Sequence, residues 1–206
     1  MNDTDNIIVD TATKLFQDLC TTSVVNDAEK GQWPTALWNA LEEAGLTVAW
    51  VPDTLGGAGA EMTDGFAVAR VAAGFAAPVP LAETLIAGWL LSQAGLQVPA
   101  GAMTVAPVHG EDRIELAGDG KLKGSARHVP FARNAKHVAV LVRRGGKPAV
   151  ALVDASQIAI GHGSSLAGEP RDQVSFDGVT PIAVEASPID EAALEAMGAA
   201  MRSVQM

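Results

Sequence analysis

Apolar residues recur at helical spacing through the first hundred positions and at strand spacing after them. Ile7, Ile8, Ala12, Leu15, Phe16 and Leu19 share one helical face, which predicts a helix over 3–21. The polar stretch 22–31 predicts a loop. Leu37, Trp38, Leu41 and Ala44 fall on one face of a second helix over 33–44, with Pro34 near its first turn and Gly45 as its stop. Thr63-Asp64 predicts an N-cap for a third helix running to about Ala76. Pro80 opens a fourth helix through Ala94, and Gly95 closes it. Four helices with short links predict an antiparallel bundle. The last two carry almost no charge, so they must bury nearly all round.

Near Ala102 the period becomes two. Short β-rich segments such as MTVAPV, KHVAVLV and PAVALVD alternate with Gly-containing turns, among them Gly118-Asp119-Gly120 and Gly145-Gly146. Strands at this spacing predict a small antiparallel barrel or sandwich. Ser187, as N-cap, with Pro188 at the first helical position and Asp190 reaching back, predicts a last helix. Its apolar face is still running at Met206 and expects a neighbour. The expected class is α+β: an amino-terminal antiparallel helical bundle over 1–100, a small antiparallel β-barrel or sandwich over 101–187, and the start of a carboxy-terminal helical domain over 188–206.

Composition narrows the function. The formal net charge of −10 argues against nucleic acid, whose phosphates need clustered Lys and Arg. Arg143-Arg144 and Lys147 bracket Gly145-Gly146 and read as a solvated hairpin tip. The single cysteine, Cys20, excludes an intrachain disulfide and suits a reducing cytoplasm; it reads as a small buried hydrophobe. MNDTDN lacks the basic and apolar regions of a signal peptide, and the apolar run at 81–91 is too short to span a bilayer, so no membrane role is expected. The four histidines stand far apart and no cysteine pair exists, so no metal site is expected. Gly56-Gly57-Ala58-Gly59 lacks the flanks of a phosphate loop and reads as a tight turn between helices. Glu42, Glu43, Glu61 and Glu83 read as surface or capping carboxylates.

Glu43-Ala44-Gly45-Leu46, followed by Val51-Pro52-Asp53-Thr54-Leu55-Gly56-Gly57-Ala58-Gly59, resembles the phrase EAGLxxxxVPxxLGGxG of acyl-CoA dehydrogenases. Several fixed spacings agree at once. The order of helices, strands and a last helix is also that family's order. The likeness is closest over Leu37 to Leu96, and the chain resembles roughly the first half of such a protein. The resemblance implies FAD-dependent α,β-dehydrogenation of an acyl-CoA thioester, with electrons passed on to an acceptor flavoprotein. It also implies a glutamate base in a carboxy-terminal bundle outside this chain, so the resemblance assigns no catalytic base here.

The resemblance further implies where FAD would sit. Thr104-Val105-Ala106-Pro107-Val108-His109-Gly110 takes the place of a TEPxAGSD-like motif and keeps only its proline. Gly124 to Ala132 takes the place of a G.K.FITNA-like segment and keeps the glycine and the final alanine. The implied cofactor contacts are Val105, Ala106, Pro107, His128, Val129 and Pro130, with His128 facing either the flavin or the acyl group. The altered motifs resemble a bacterial branch in which two unlike chains assemble and complete sites need both, on bulky thioesters such as steroid side chains. The implied assembly is a homo- or hetero-oligomer with another acyl-CoA dehydrogenase-like chain. Three readings follow: the dehydrogenase itself, a non-catalytic partner subunit of a heteromeric dehydrogenase, and a non-redox scaffold or binding module.

Overall fold

The computed structural model describes residues 3–206, with side chains from Ile7 onward; the start of the polar MNDTDN stretch lies outside the described residues. Five helices occupy the first hundred residues: α1 (Asp3–Leu19), α2 (Thr22–Glu29), α3 (Thr35–Glu43), α4 (Met62–Gly74) and α5 (Leu81–Gln93). Residues 22–31, expected as a loop, are mostly the helix α2. Thr21 caps it by accepting a hydrogen bond from Val24 N, and none of its residues is buried. A helix without a buried face leaves no apolar period to read.

Two starts also shift. Glu61, not Thr63, is the N-cap of α4, and Asp64 at the third helical position bonds back to the Glu61 amide at 3.0 Å in a capping box. Asp190, not Ser187, caps the last helix, α6 (Glu191–Val204), accepting from Ala193 N at 2.9 Å. Ser187 Oγ instead accepts from Ile189 N and turns the chain just before it. Gly56 closes the turn after Leu55 at φ 93°, and a Cβ on Gly57 would strike the Val51 carbonyl. The Gly56–Gly59 loop folds back onto 48–51, with Gly59 N donating to Val51 O at 2.8 Å.

Eight strands follow: β1 (Met103–Ala106), β2 (Ile114–Leu116), β3 (Leu122–Pro130), β4 (His137–Arg144), β5 (Lys147–Asp154), β6 (Ala159–Gly161), β7 (Arg171–Ser175) and β8 (Ala183–Ala186). They run in the order β6-β7-β3-β2-β4-β5-β8, with β1 beside β4. The path stays open instead of closing into a barrel. Most pairs are antiparallel, but β1 and β2 both run parallel to β4. The expected tip at 143–147 is the two-residue β4–β5 turn, where Gly145 and Gly146 both have positive φ. Arg143 there reaches Glu191 of α6 at 2.7 Å, so it is not merely solvated.

Strand alternation divides the sheet between two cores. Val138, Val140 and Val142 of β4 join Ala149, Ala151 and Val153 of β5 in one, enclosed with β3 and β7. Ala139, Leu141, Val150 and Leu152 face the other way, into a core shared with α1, α3, α4, α5 and α6. Cys20 is buried there. That second core crosses the 100/101 boundary without interruption. Trp50 Nε1 donates to Leu85 O at 2.8 Å within it. Among the described residues, no helix is long and apolar enough to cross a membrane.

Candidate functional site

A cavity of about 810 Å³ opens between α5, the helix-facing side of the sheet and α6. That size lies within the roughly 300–1,000 Å³ of small-molecule pockets. Its buried lining is apolar: Ala82 and Ile86 of α5, Val105 of β1, Leu141 of β4, and Leu194 and Met201 of α6. Its exposed edge is mixed, with Val108 and Leu166 beside polar groups. His109 and Gly110 come from the loop after β1, Ser164 from the β6–β7 loop, Glu195 and Arg202 from α6, and Gln205 from its C-cap.

Glu83 lines this cavity, although its position in the first turn of α5 reads as a capping or surface carboxylate. It is half-buried and takes part in no ion pair or side-chain hydrogen bond to another described residue. Burial pushes its carboxyl from 4.5 up to about 7, against the pull of a backbone hydrogen bond and the charge of Arg171. One sequence signal marks it: Glu83 is the only charged residue in the thirteen of α5, a helix buried nearly all round. Of the other carboxylates, Glu42 accepts from Gly101 N at 2.6 Å and ties α3 to the entry of β1.

His128 and His109 face each other on the opposite wall, edge to face with ring centroids 5.3 Å apart. His128 sits at φ 54°, at the register shift between Ala126 and Val129 where β3 pairs with β7. A non-glycine residue held there stores roughly 1–3 kcal/mol of strain, a burden found most often at functional sites. His137 and His162 lie outside the lining. Among the described residues, no three His, Cys, Asp or Glu side chains converge as a metal site would need.

A buried ion pair fixes the β6–β7 wall. Asp172 is fully buried and accepts from Arg133 N at 2.9 Å, Arg133 Nε at 2.9 Å and Gly163 N at 3.2 Å. Arg133 Nη2 also bonds Asp172 and the Gly163 carbonyl. Burial pushes the Asp172 carboxyl up, but these bonds outweigh it and hold it below 3.8. Its neighbours Ser164 and Arg171 thereby keep their places on the cavity wall.

The six residues implied as cofactor contacts divide by strand alternation. Val105 and Pro107 line the cavity, as do His128 and Pro130. Ala106 and Val129 do not: both are fully buried in the opposite core, one residue out of phase with the lining pairs.

The lining suits a flat ring or a branched apolar chain. It does not suit an entire FAD held by these residues alone. The Thr104 hydroxyl is fully buried and donates to Pro130 O at 2.7 Å, which ties β1 to β3. Arg171, the lining cation from the sheet, pairs with Glu169 at 3.0 Å. Arg127, next to His128, pairs with Asp112 at 2.8 Å and with Glu111. Both of these arginines are already paired with carboxylates, and the other lining cation, Arg202 of α6, stands at the exposed edge.

Residues 2–97 match the family model of the acyl-CoA dehydrogenase amino-terminal domain. Beyond it, the whole chain has the fold of the amino-terminal and middle portions of acyl-CoA dehydrogenases. A steroid ACAD variant, Tcur3481-Tcur3483, is 23% identical with a TM-score of 0.78, over 98% of this chain and 61% of that one. The ChsE4-ChsE5 complex from Mycobacterium tuberculosis is 19% identical with a TM-score of 0.81, over 100% of this chain and 63% of that one. An acyl-CoA dehydrogenase complexed with FAD from Bacillus anthracis is 12% identical with a TM-score of 0.66, over 88% and 37%. The chain thus spans under two thirds of the length of these structures. No curated protein matches it.

Proposed function

We propose that this chain is the amino-terminal and middle part of a flavin-dependent acyl-CoA dehydrogenase, acting in the cytoplasm. The observation that carries this reading is the apolar cavity between α5, the sheet and α6, which takes the acyl group of a CoA thioester. Ile86, Leu141, Leu194 and Met201 exclude water from that group. Val105, Pro107, His128 and Pro130 form the wall that orients it toward the flavin. FAD, held with residues beyond these four, would supply the acceptor for the β-hydride, and an acceptor flavoprotein would take up the electrons. The base that takes the α-proton likewise lies beyond these four.

A second reading, the partner subunit of a heteromeric dehydrogenase, is favoured by one specific observation. Thr104 is committed to Pro130, and Val105-Ala106 stand where the family motif has Thr-Glu before its proline. The likeness to a steroid ACAD and to a two-protein complex supports the same direction. The visible absorption spectrum of the purified full chain tests both. Flavin bands from the chain alone support the dehydrogenase. Bands only on co-expression with a second acyl-CoA dehydrogenase-like chain support the shared site. Absence of flavin and of acyl-CoA binding under both conditions overturns both.

A further inference from the structure

We infer that Glu83 selects acyl groups bearing a second carbonyl oxygen, to which its carboxyl donates a hydrogen bond. The inference rests on the reading of the cavity as an acyl pocket and assigns Glu83 as its specificity-determining residue.

The placement carries the argument. Glu83 lies on the α5 wall with Ala82 and Ile86, in a cavity whose buried lining also includes Val105, Leu141, Leu194 and Met201, and the charges of Arg171 and Glu169 reach it from the β6–β7 side. A carboxyl in such surroundings is costly when charged and is a hydrogen-bond donor when neutral. No described side chain accepts that bond. The charged groups around the cavity are otherwise engaged or at its edge. Arg171 of β7 pairs with Glu169, and Glu191 of α6 pairs with Arg143. Glu195 and Arg202 of α6 are exposed, as are His109 and His128 on the strand side. The raised titration of Glu83, near 7, agrees with a group that is largely protonated in slightly acid solution. A wholly apolar acyl chain would cover this carboxyl and leave it without a partner, whereas a ketone on the chain accepts its proton in a hydrogen bond.

The test compares binding of unsubstituted acyl-CoA thioesters with oxoacyl-CoA thioesters of the same length, the ketone moved along the chain, to the full chain. Below pH 7, one oxo isomer is expected to bind about tenfold tighter than its parent, the value of one net hydrogen bond. Well above pH 7 the ionised carboxylate no longer donates, and the preference disappears. Glu83→Gln keeps a neutral donor and is expected to hold the preference at both pH values. Glu83→Leu is expected to lose the preference while still binding the parent thioester. If Glu83→Leu does not fold, the pH dependence and its absence in Glu83→Gln decide alone. Equal binding of every oxo isomer and its parent overturns the inference while leaving the acyl pocket intact. Failure of all thioesters to bind instead overturns the acyl-pocket reading itself.

Discussion

Glu83 lines the cavity and Asp172 is buried behind its β6–β7 wall, and their environments send their pH dependences in opposite directions. Glu83 titrates near 7 in the folded chain against 4.5 ordinarily, so folding retains a proton that unfolding releases. Its contribution to stability is full below 4.5 and is lost as pH rises through about 7. Urea denaturation of Glu83→Gln across that window is expected to show a shallower decline than wild type; identical slopes would reject the assignment. Asp172 is held below 3.8, so its contribution is present above 3.8 and is lost as pH falls through its folded value. Asp172→Ala leaves Arg133 half-buried without its partner and is expected to cost about 3 kcal/mol at neutral pH, read from the denaturation midpoint. At this scale the sequence is partly legible. The lone charge in α5 points to a special position, but only the three-dimensional packing separates a pocket carboxyl from a cap. Asp172 gives no such signal, because its partners lie 39 and 9 residues away.

Elements with a buried face are legible, and those without one are not. α5 is read from its apolar run, its preceding proline and its closing glycine, whereas α2 buries none of its residues fully and escapes. Cap identity fails by two or three residues because Thr63 and Ser187 are good caps that lose to Glu61 and Asp190 nearby. The alternation that splits Val105 from Ala106, and Pro130 from Val129, is present in the sequence once the strands are known. The parallel pairing of β1 with β4 is not, since it joins segments more than thirty residues apart. Helix packing also rests on single positions. Gly65 of α4 lies against the Trp50 ring, where a Cβ would overlap it. Gly65→Ala is expected to destabilise by roughly 1–3 kcal/mol through overpacking. Thermal melting checks this, and Gly74→Ala, where nothing lies within 4 Å, serves as the neutral control.

Across the whole molecule, the cavity exists because three units meet: α5, the sheet and α6. Its residues are scattered from Ala82 to Gln205, which is why no local motif discloses it. The core beneath it is continuous, running from Ala12 in α1 through Leu141 and Leu152 in the sheet to Met201 in α6. Heating is therefore expected to produce one cooperative transition, with far-ultraviolet dichroism and tryptophan fluorescence changing together. All four tryptophans lie in the helical part, so a sheet that melted separately would leave fluorescence unchanged. That continuity also limits how such a protein can be recombined. Residues 1–100 are not a cassette, because moving them to another scaffold would strip the cover from Val105, Ala139, Leu141, Val150 and Leu152 at once. Any successful exchange must carry a matching apolar footprint on the recipient sheet, so the two segments are constrained to be inherited together.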